Sequence, residues 1–132
     1  MPTRTAHRLR AILVTTGSEE QARSIARVLV GERLAACVNI IGPIRSIYRW
    51  REAVEDEPEY LLLIKTRAQL YDKVERRVRE LHTYEVPEVL ALAIDRGSRP
   101  YVQWLLESTR GSARTAAKSR GRIGKTNRAR IR

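Results

Sequence analysis

The chain has 132 residues, enough for one domain with a sizeable core and too few for two ordinary ones. It carries a formal net charge of +11, one cysteine and no phenylalanine. The lone cysteine excludes an internal disulfide and fits a reducing compartment, and no run of about 18 apolar residues exists to cross a membrane as a helix.

The N-terminal MPTRTAHRLRAILV is basic, but its apolar stretch is only AILV. That is too short for a signal-peptide core, so a cytoplasmic protein is expected. The positive charge is uneven. Residues 110–132 hold nine Lys and Arg and no Asp or Glu, which leaves seventeen bases against fifteen acids in residues 1–109. The expected organisation is a folded domain over 1–109 and a basic tail over 110–132, mobile unless a partner holds it.

LRAILVTT (9–16) is short, apolar and partly β-branched, as a buried strand should be. SEEQ (18–21) follows, with Ser18 placed to cap a helix, Gln21 to reach back, and Glu19 and Glu20 against the positive helix end. Ala22, Ile25, Ala26 and Leu29 recur at helical spacing, which predicts a first helix over 19–33. AACVNIIGPIRSIYRW (35–50) is strand-like. It is broken at Gly42-Pro43, where the missing proline donor demands a bend, a bulge or an edge position.

REAVEDEPE (51–59) reads as an acidic connection, with Glu52, Glu55, Asp56, Glu57 and Glu59 at a solvated hairpin tip. YLLLIKT (60–66) is a continuous apolar run and predicts a central strand. TRAQ (66–69) repeats the capping-box pattern before a second helix that lines Leu70, Val74, Val78 and Leu81 along one face. A strand over 89–94 then follows ELHTYEVPE, where Pro87 biases Val86 toward extended backbone. Last comes a helix in GSRPYVQWLLEST, with Ser98 as cap, Pro100 in the first turn, and Tyr101, Trp104 and Leu105 on its inner face.

The order βαββαβ plus a terminal helix predicts an α+β fold, the ferredoxin-like sandwich of a four-stranded antiparallel sheet under two helices. The hairpin of the second and third strands, about 35 to 66, is longer than two short helices can cover. Its exposed edges, with Tyr48 and Trp50, predict pairing with other copies in a closed homo-oligomer.

RLAACVNIIGPIRSIYRW, LLLIKTR, HTYEVPEVLALAI and YVQWL occur in the order and spacing of the CutA family of divalent-ion tolerance proteins. This resemblance spans roughly residues 9–108. It implies a tight homotrimer joined through the long hairpin, cytoplasmic location, a link to tolerance of copper and other divalent cations, and architectural kinship to PII-like signalling proteins. The family's usual motif reads His-Pro-Tyr-Glu, whereas this chain has Thr83 after His82; losing that proline predicts a looser loop.

The resemblance places a metal site on His82 and Glu88, whose nitrogen and carboxylate suit Cu(II) or Zn(II). Cys37 joins them only if the fold or a second subunit brings it near; otherwise it is a small buried apolar residue. Lys65 ends an apolar run and needs either a carboxylate from Glu85 or Glu88 or a path to solvent. Lys65, Tyr84, Glu85, Tyr48, Trp50 and Trp104 are assigned to an inter-subunit cleft or interface.

Neither a phosphate-binding glycine loop nor a recognisable nucleophile arrangement occurs, so no enzyme is predicted. The alternatives to cation tolerance are a PII-like regulatory module with a small ligand between subunits, and nucleic-acid or acidic-partner binding through the tail.

Overall fold

The computed structural model describes residues 8–111 and the backbone of residues 3 and 4. The predicted basic tail lies outside the described residues from position 112 onward. The elements are β1 (Thr3–Arg4), β2 (Leu9–Thr16), α1 (Glu19–Gly31), β3 (Cys37–Trp50), β4 (Ala53–Arg67), a 3-10 turn (Ala68–Leu70), α2 (Tyr71–Leu81), β5 (Leu90–Ala93), β6 (Arg96–Gly97) and α3 (Arg99–Ser108). The main sheet has the order β3-β4-β2-β5, antiparallel throughout, which is the ferredoxin-like topology expected. β1 and β6 form a separate two-stranded pair.

One face of this sheet makes the core. Ile12 and Val14 of β2 and Leu62 and Ile64 of β4 are fully buried in one cluster with Ile25 and Leu29 of α1 and Val74 and Val78 of α2. Each such side chain contributes about 1.5–3 kcal/mol relative to leaving it in water. The alternate residues of β2 and β4 point the other way, onto a face that α3 covers only at its Leu9 end. Leu13 and Leu63 are opposite each other there and stay half-buried, while Ile41, Leu90 and Leu92 on the same face are exposed. The apolar run of β4 is central in the sheet, yet only one of its faces is fully covered.

Several local expectations need correction. The acidic connection 51–59 is mostly strand: β4 begins at Ala53, and only Arg51 and Glu52 turn the chain. Charged residues pair there because the β3 backbone supplies their ladder from Trp50↔Ala53 to Ile44↔Glu59, with Arg45 bridging to Asp56 at 2.7 Å. Helix α1 stops at Gly31 rather than 33, because Arg33 takes a left-handed φ of 61°. Ser18 does cap it, accepting from the Gln21 amide at 3.1 Å.

Thr66 caps nothing. Its hydroxyl is buried and donates to the Leu34 carbonyl at 2.7 Å, and the helix starts instead through the 3-10 turn. Ser98 occupies the cap position of α3 without a side-chain bond, and Pro100 is in its first turn. The inner face of α3 is Val102 and Leu105, packed with Leu9 and Ala36 in a second small core. Tyr101 and Trp104 lie outside, in a tilted ring contact with centroids 5.3 Å apart.

The break at Gly42-Pro43 is a bulge on an edge strand. Three steps along β3 from Ile41 to Ile44 oppose two along β4, from Leu61 to Glu59. The ring of Tyr60 fills the space beside Gly42, where a Cβ would lie 2.5 Å from its Cδ2. Gly42→Ala should therefore lower the urea unfolding midpoint by the equivalent of about 1–3 kcal/mol. Because the clash is with one ring, combining it with Tyr60→Ala should cost less than the sum of the single variants.

Candidate functional site

The site is built where α2 ends. His82 is the helix C-cap, its amide still bonded to the Val78 carbonyl at 2.8 Å while its own backbone is extended. The buried imidazole lies over the end of β2, with Nε2 2.7 Å from the Thr15 carbonyl. Its Nδ1 accepts the Tyr84 amide at 3.1 Å. These two partners select one tautomer, since a carbonyl requires Nε2–H and an amide donor requires a lone pair on Nδ1. Burial pushes the imidazole below its ordinary pKa, against the opposite pull of the Thr15 carbonyl and Glu59. His82 is thus held neutral, with both ring nitrogens occupied.

The next residues are tied to α1. Gln21 was expected to reach back to its own cap. Instead its Oε1 accepts from the Thr83 amide at 3.4 Å and the Thr83 hydroxyl at 3.1 Å, and its Nε2 is 3.5 Å from the Leu81 carbonyl. Proline at 83 has neither donor, so threonine replaces the rigidity of a ring with hydrogen bonds. The predicted looseness is offset by these bonds.

Tyr84 is folded back on the imidazole, ring centroids 4.6 Å apart, and its hydroxyl donates to Glu59 Oε2 at 2.7 Å. Gly17 leaves room for this approach, since a Cβ there would come within 3.1 Å of the Tyr84 oxygen. Loss of solvent and then the bond to Glu59 raise the Tyr84 phenol far above its ordinary value. Glu59 is 7% exposed, the opposite of the solvated tip expected of it. It is out of phase with the buried Leu62 and is covered by Tyr84, whose hydroxyl satisfies one of its oxygens. Glu88 is raised above the usual carboxylate range by desolvation and then by facing Glu59. Tyr48 is raised likewise, by desolvation and by the Glu57, Glu59 and Glu55 carboxylates.

Together Tyr48 and Trp50 of β3, Glu59 of β4, and Tyr84, Glu85 and Glu88 of the loop frame an open cleft of about 630 Å³. Glu85 stands at its rim, bridged to Arg51 at 3.4 Å, and Arg51 lies over the Trp50 ring at 5.2 Å. Its character is acidic and aromatic.

Three expected participants lie elsewhere. Cys37 pairs with Lys65 across β3 and β4, four positions along β4 from Leu61, the partner of Thr15. At about 3.3 Å per residue that is roughly 13 Å from the His82 contact. The Cys37 thiol approaches the Asn39 amide oxygen at 3.8 Å, and Lys65 makes no ion pair with a described carboxylate. Trp104 is on the outer side of α3. No three His, Cys, Asp or Glu side chains gather as a ready metal site among the described residues. Glu59 was missed because the sequence marks it only as one acid among several; strand alternation from the buried Leu62 does not reach it in phase.

The pattern of the CutA1 divalent ion tolerance protein family matches residues 10–108. A Thermus thermophilus protein described as "Divalent-cation tolerance protein CutA" is 52% identical over 98 residues, covering 74% of this chain and 95% of its own. The human "Protein CutA" is 46% identical over 99 residues, 75% of this chain but 55% of the human one. Among solved structures, the Thermus thermophilus divalent cation tolerance protein superposes with a TM-score of 0.75 at 50% identity, covering 76% of this chain and 98% of its own. CutA1 from Oryza sativa gives 0.77 at 41% identity, covering 81% and 97%.

The His82 contacts carry a pH signature. A histidine whose folded pKa is depressed stabilises the fold fully above its unfolded value, about 6.5, and loses that contribution as pH falls toward the folded value. Unfolding midpoints should therefore drop as pH falls below about 6.5, and His82→Gln should flatten that drop while lowering stability at neutral pH. His82→Ala should cost about 1–3 kcal/mol for each orphaned backbone partner.

Proposed function

The chain belongs to the CutA1 divalent ion tolerance protein family, and on that premise we propose that it acts in the cytoplasm as a homotrimer that binds divalent cations weakly, copper(II) among them, in the cleft beside the His82 loop. The observation that carries this reading is the Glu59–Glu88 pair. Glu88 is desolvated and feels the charge of the buried Glu59, which makes ionising Glu88 costly. A divalent cation between them would relieve that repulsion. The donors are then carboxylate oxygens, with Glu85 at the rim.

His82 fits a different role from the ligand expected of it. With both nitrogens engaged it has no lone pair to offer, so it positions Tyr84, and Tyr84 holds Glu59. Cys37 belongs to this site only through a neighbouring subunit. Trimer formation is supported by the uncovered apolar face around Leu13 and Leu63 and by the long hairpin with exposed Ile47 and Val54. The number three is what the family resemblance implies.

A second reading rests on the size of the cleft. About 630 Å³ walled by Tyr48, Trp50 and Tyr84 is within the range of small-molecule pockets, and suits a PII-like module that responds to a bound metabolite. A thermal-shift screen separates the two: stabilisation by an organic ligand in the presence of chelator supports the second.

Calorimetric titration with copper(II) and zinc(II) tests the first. Glu59→Gln combined with Glu88→Gln should weaken binding at least about tenfold, or 1.4 kcal/mol. His82→Gln should change it much less. Unaltered affinity in the double carboxylate variant would remove the cleft as the site. For the assembly, Leu63→Asp should convert a sedimenting trimer to monomer by placing a charge on the uncovered face.

A further inference from the structure

The cleft contains a buried charge that the fold leaves unbalanced. Glu59 lines it and is 7% exposed. Its Oε2 accepts the Tyr84 hydroxyl at 2.7 Å, whereas Oε1 takes no hydrogen bond from a described residue. No described Lys, Arg or His forms an ion pair with it. A carboxylate taken out of water without a cation is costly. The other buried glutamate, Glu32, is treated differently: Arg77 pairs with it at 2.9 Å. The chain thus supplies a cation where the acid only joins two helices, and supplies none where the acid faces an open cleft.

The walls of the cleft favour a particular kind of cation. Tyr48, Trp50 and Tyr84 present rings, with Ile47 and Val86 beside them. A hydrated metal ion gains little from such walls, but an organic cation gains twice, from ring faces that attract its charge and from burial of its hydrocarbon. The rim already shows this recognition. The Arg51 guanidinium lies over the Trp50 ring at 5.2 Å while bonding Glu85 at 3.4 Å. No cation does the same for Glu59.

We propose that the cleft takes an aliphatic primary ammonium ion, whose N–H groups donate to Glu59 Oε1 and the Glu88 carboxylate while its hydrocarbon chain lies against Tyr48 and Trp50. The proposal rests on the small-molecule reading above and names the class of ligand. A primary ammonium brings three donors and a full charge, so it satisfies the open oxygen and offsets the carboxylates together. A quaternary ammonium has the charge but no donor. An alcohol has a donor but no charge.

The test is calorimetric titration of the full chain with n-butylamine at neutral pH in excess chelator, where an alkylamine is protonated as lysine is, with a pKa of about 10.4. It should bind at least about tenfold more tightly than n-butanol or tetramethylammonium. Glu59→Gln should weaken it by at least about tenfold. Trp50→Ala, at the exposed rim and independent of the buried acid, should weaken it about two- to fivefold. Equal binding of n-butanol, or undiminished binding in either folded variant, would overturn the proposal. If a neutral or anionic compound stabilises the chain in chelator and n-butylamine does not bind, the ligand class is wrong and the small-molecule reading stands. If no organic compound binds, both fall.

Discussion

The structure depends on one mismatch: β4 is apolar on both of its faces, and α1 and α2 cover only one. Leu62 and Ile64 disappear beneath α1 and α2, while Leu61 and Leu63 between them remain half in solvent. A strand that is apolar on both faces belongs inside two layers of protein. One chain supplies a full layer on one face and covers only the Leu9 end of the other, with α3. Leu13, Ile41, Leu90 and Leu92 extend the uncovered face from strand to strand, so it behaves as one surface rather than as scattered exposed side chains. The long β3–β4 hairpin projects beyond the same sheet, where neither helix reaches.

The same strand separates the charges. Glu59 is buried midway along β4 and Arg67 ends the strand, eight residues and roughly 26 Å apart. That exceeds two screening lengths at physiological salt, about 8 Å each. The Glu59 and Arg67 charges are therefore largely screened from each other. A net charge of +11 conceals this arrangement, because it sums a nearly balanced domain with a basic extension.

Within the cleft, position is set by hydrogen bonds that cross between elements. The Gln21 side chain of α1 holds the backbone and hydroxyl of Thr83, and His82 bridges the Thr15 carbonyl of β2 to the Tyr84 amide. Tyr84 then reaches Glu59 of β4. Each bond contributes only about 1 kcal/mol net, but losing a buried partner costs more. The chain of contacts fixes a carboxylate where water is partly excluded. Elsewhere, the buried Glu32 is held by Arg77 through both carboxylate oxygens, at 3.1 and 2.9 Å, and joins the end of α1 to α2.

Element order, the helix faces of α1 and α2, the bulge at Gly42-Pro43 and the family itself could be read from the sequence, because they follow from local periodicity, backbone chemistry and ordered motifs. So could most of the cleft: Tyr48, Trp50, Tyr84, Glu85 and Glu88 all line it. What the sequence could not settle is which groups meet across the sheet. Glu59 looked like its acidic neighbours until β4 turned it under Tyr84. Thr66 and Gln21 satisfied local capping patterns, yet both bond to distant backbone or side chains. Of Tyr101, Trp104 and Leu105, which share the spacing of an inner face, only Leu105 is buried, and Val102 joins it because the small second core around Leu9 and Ala36 lies on their side. Spacing along a chain determines which residues share a face; only the packing of separate elements decides which face is buried and which polar atoms find partners there.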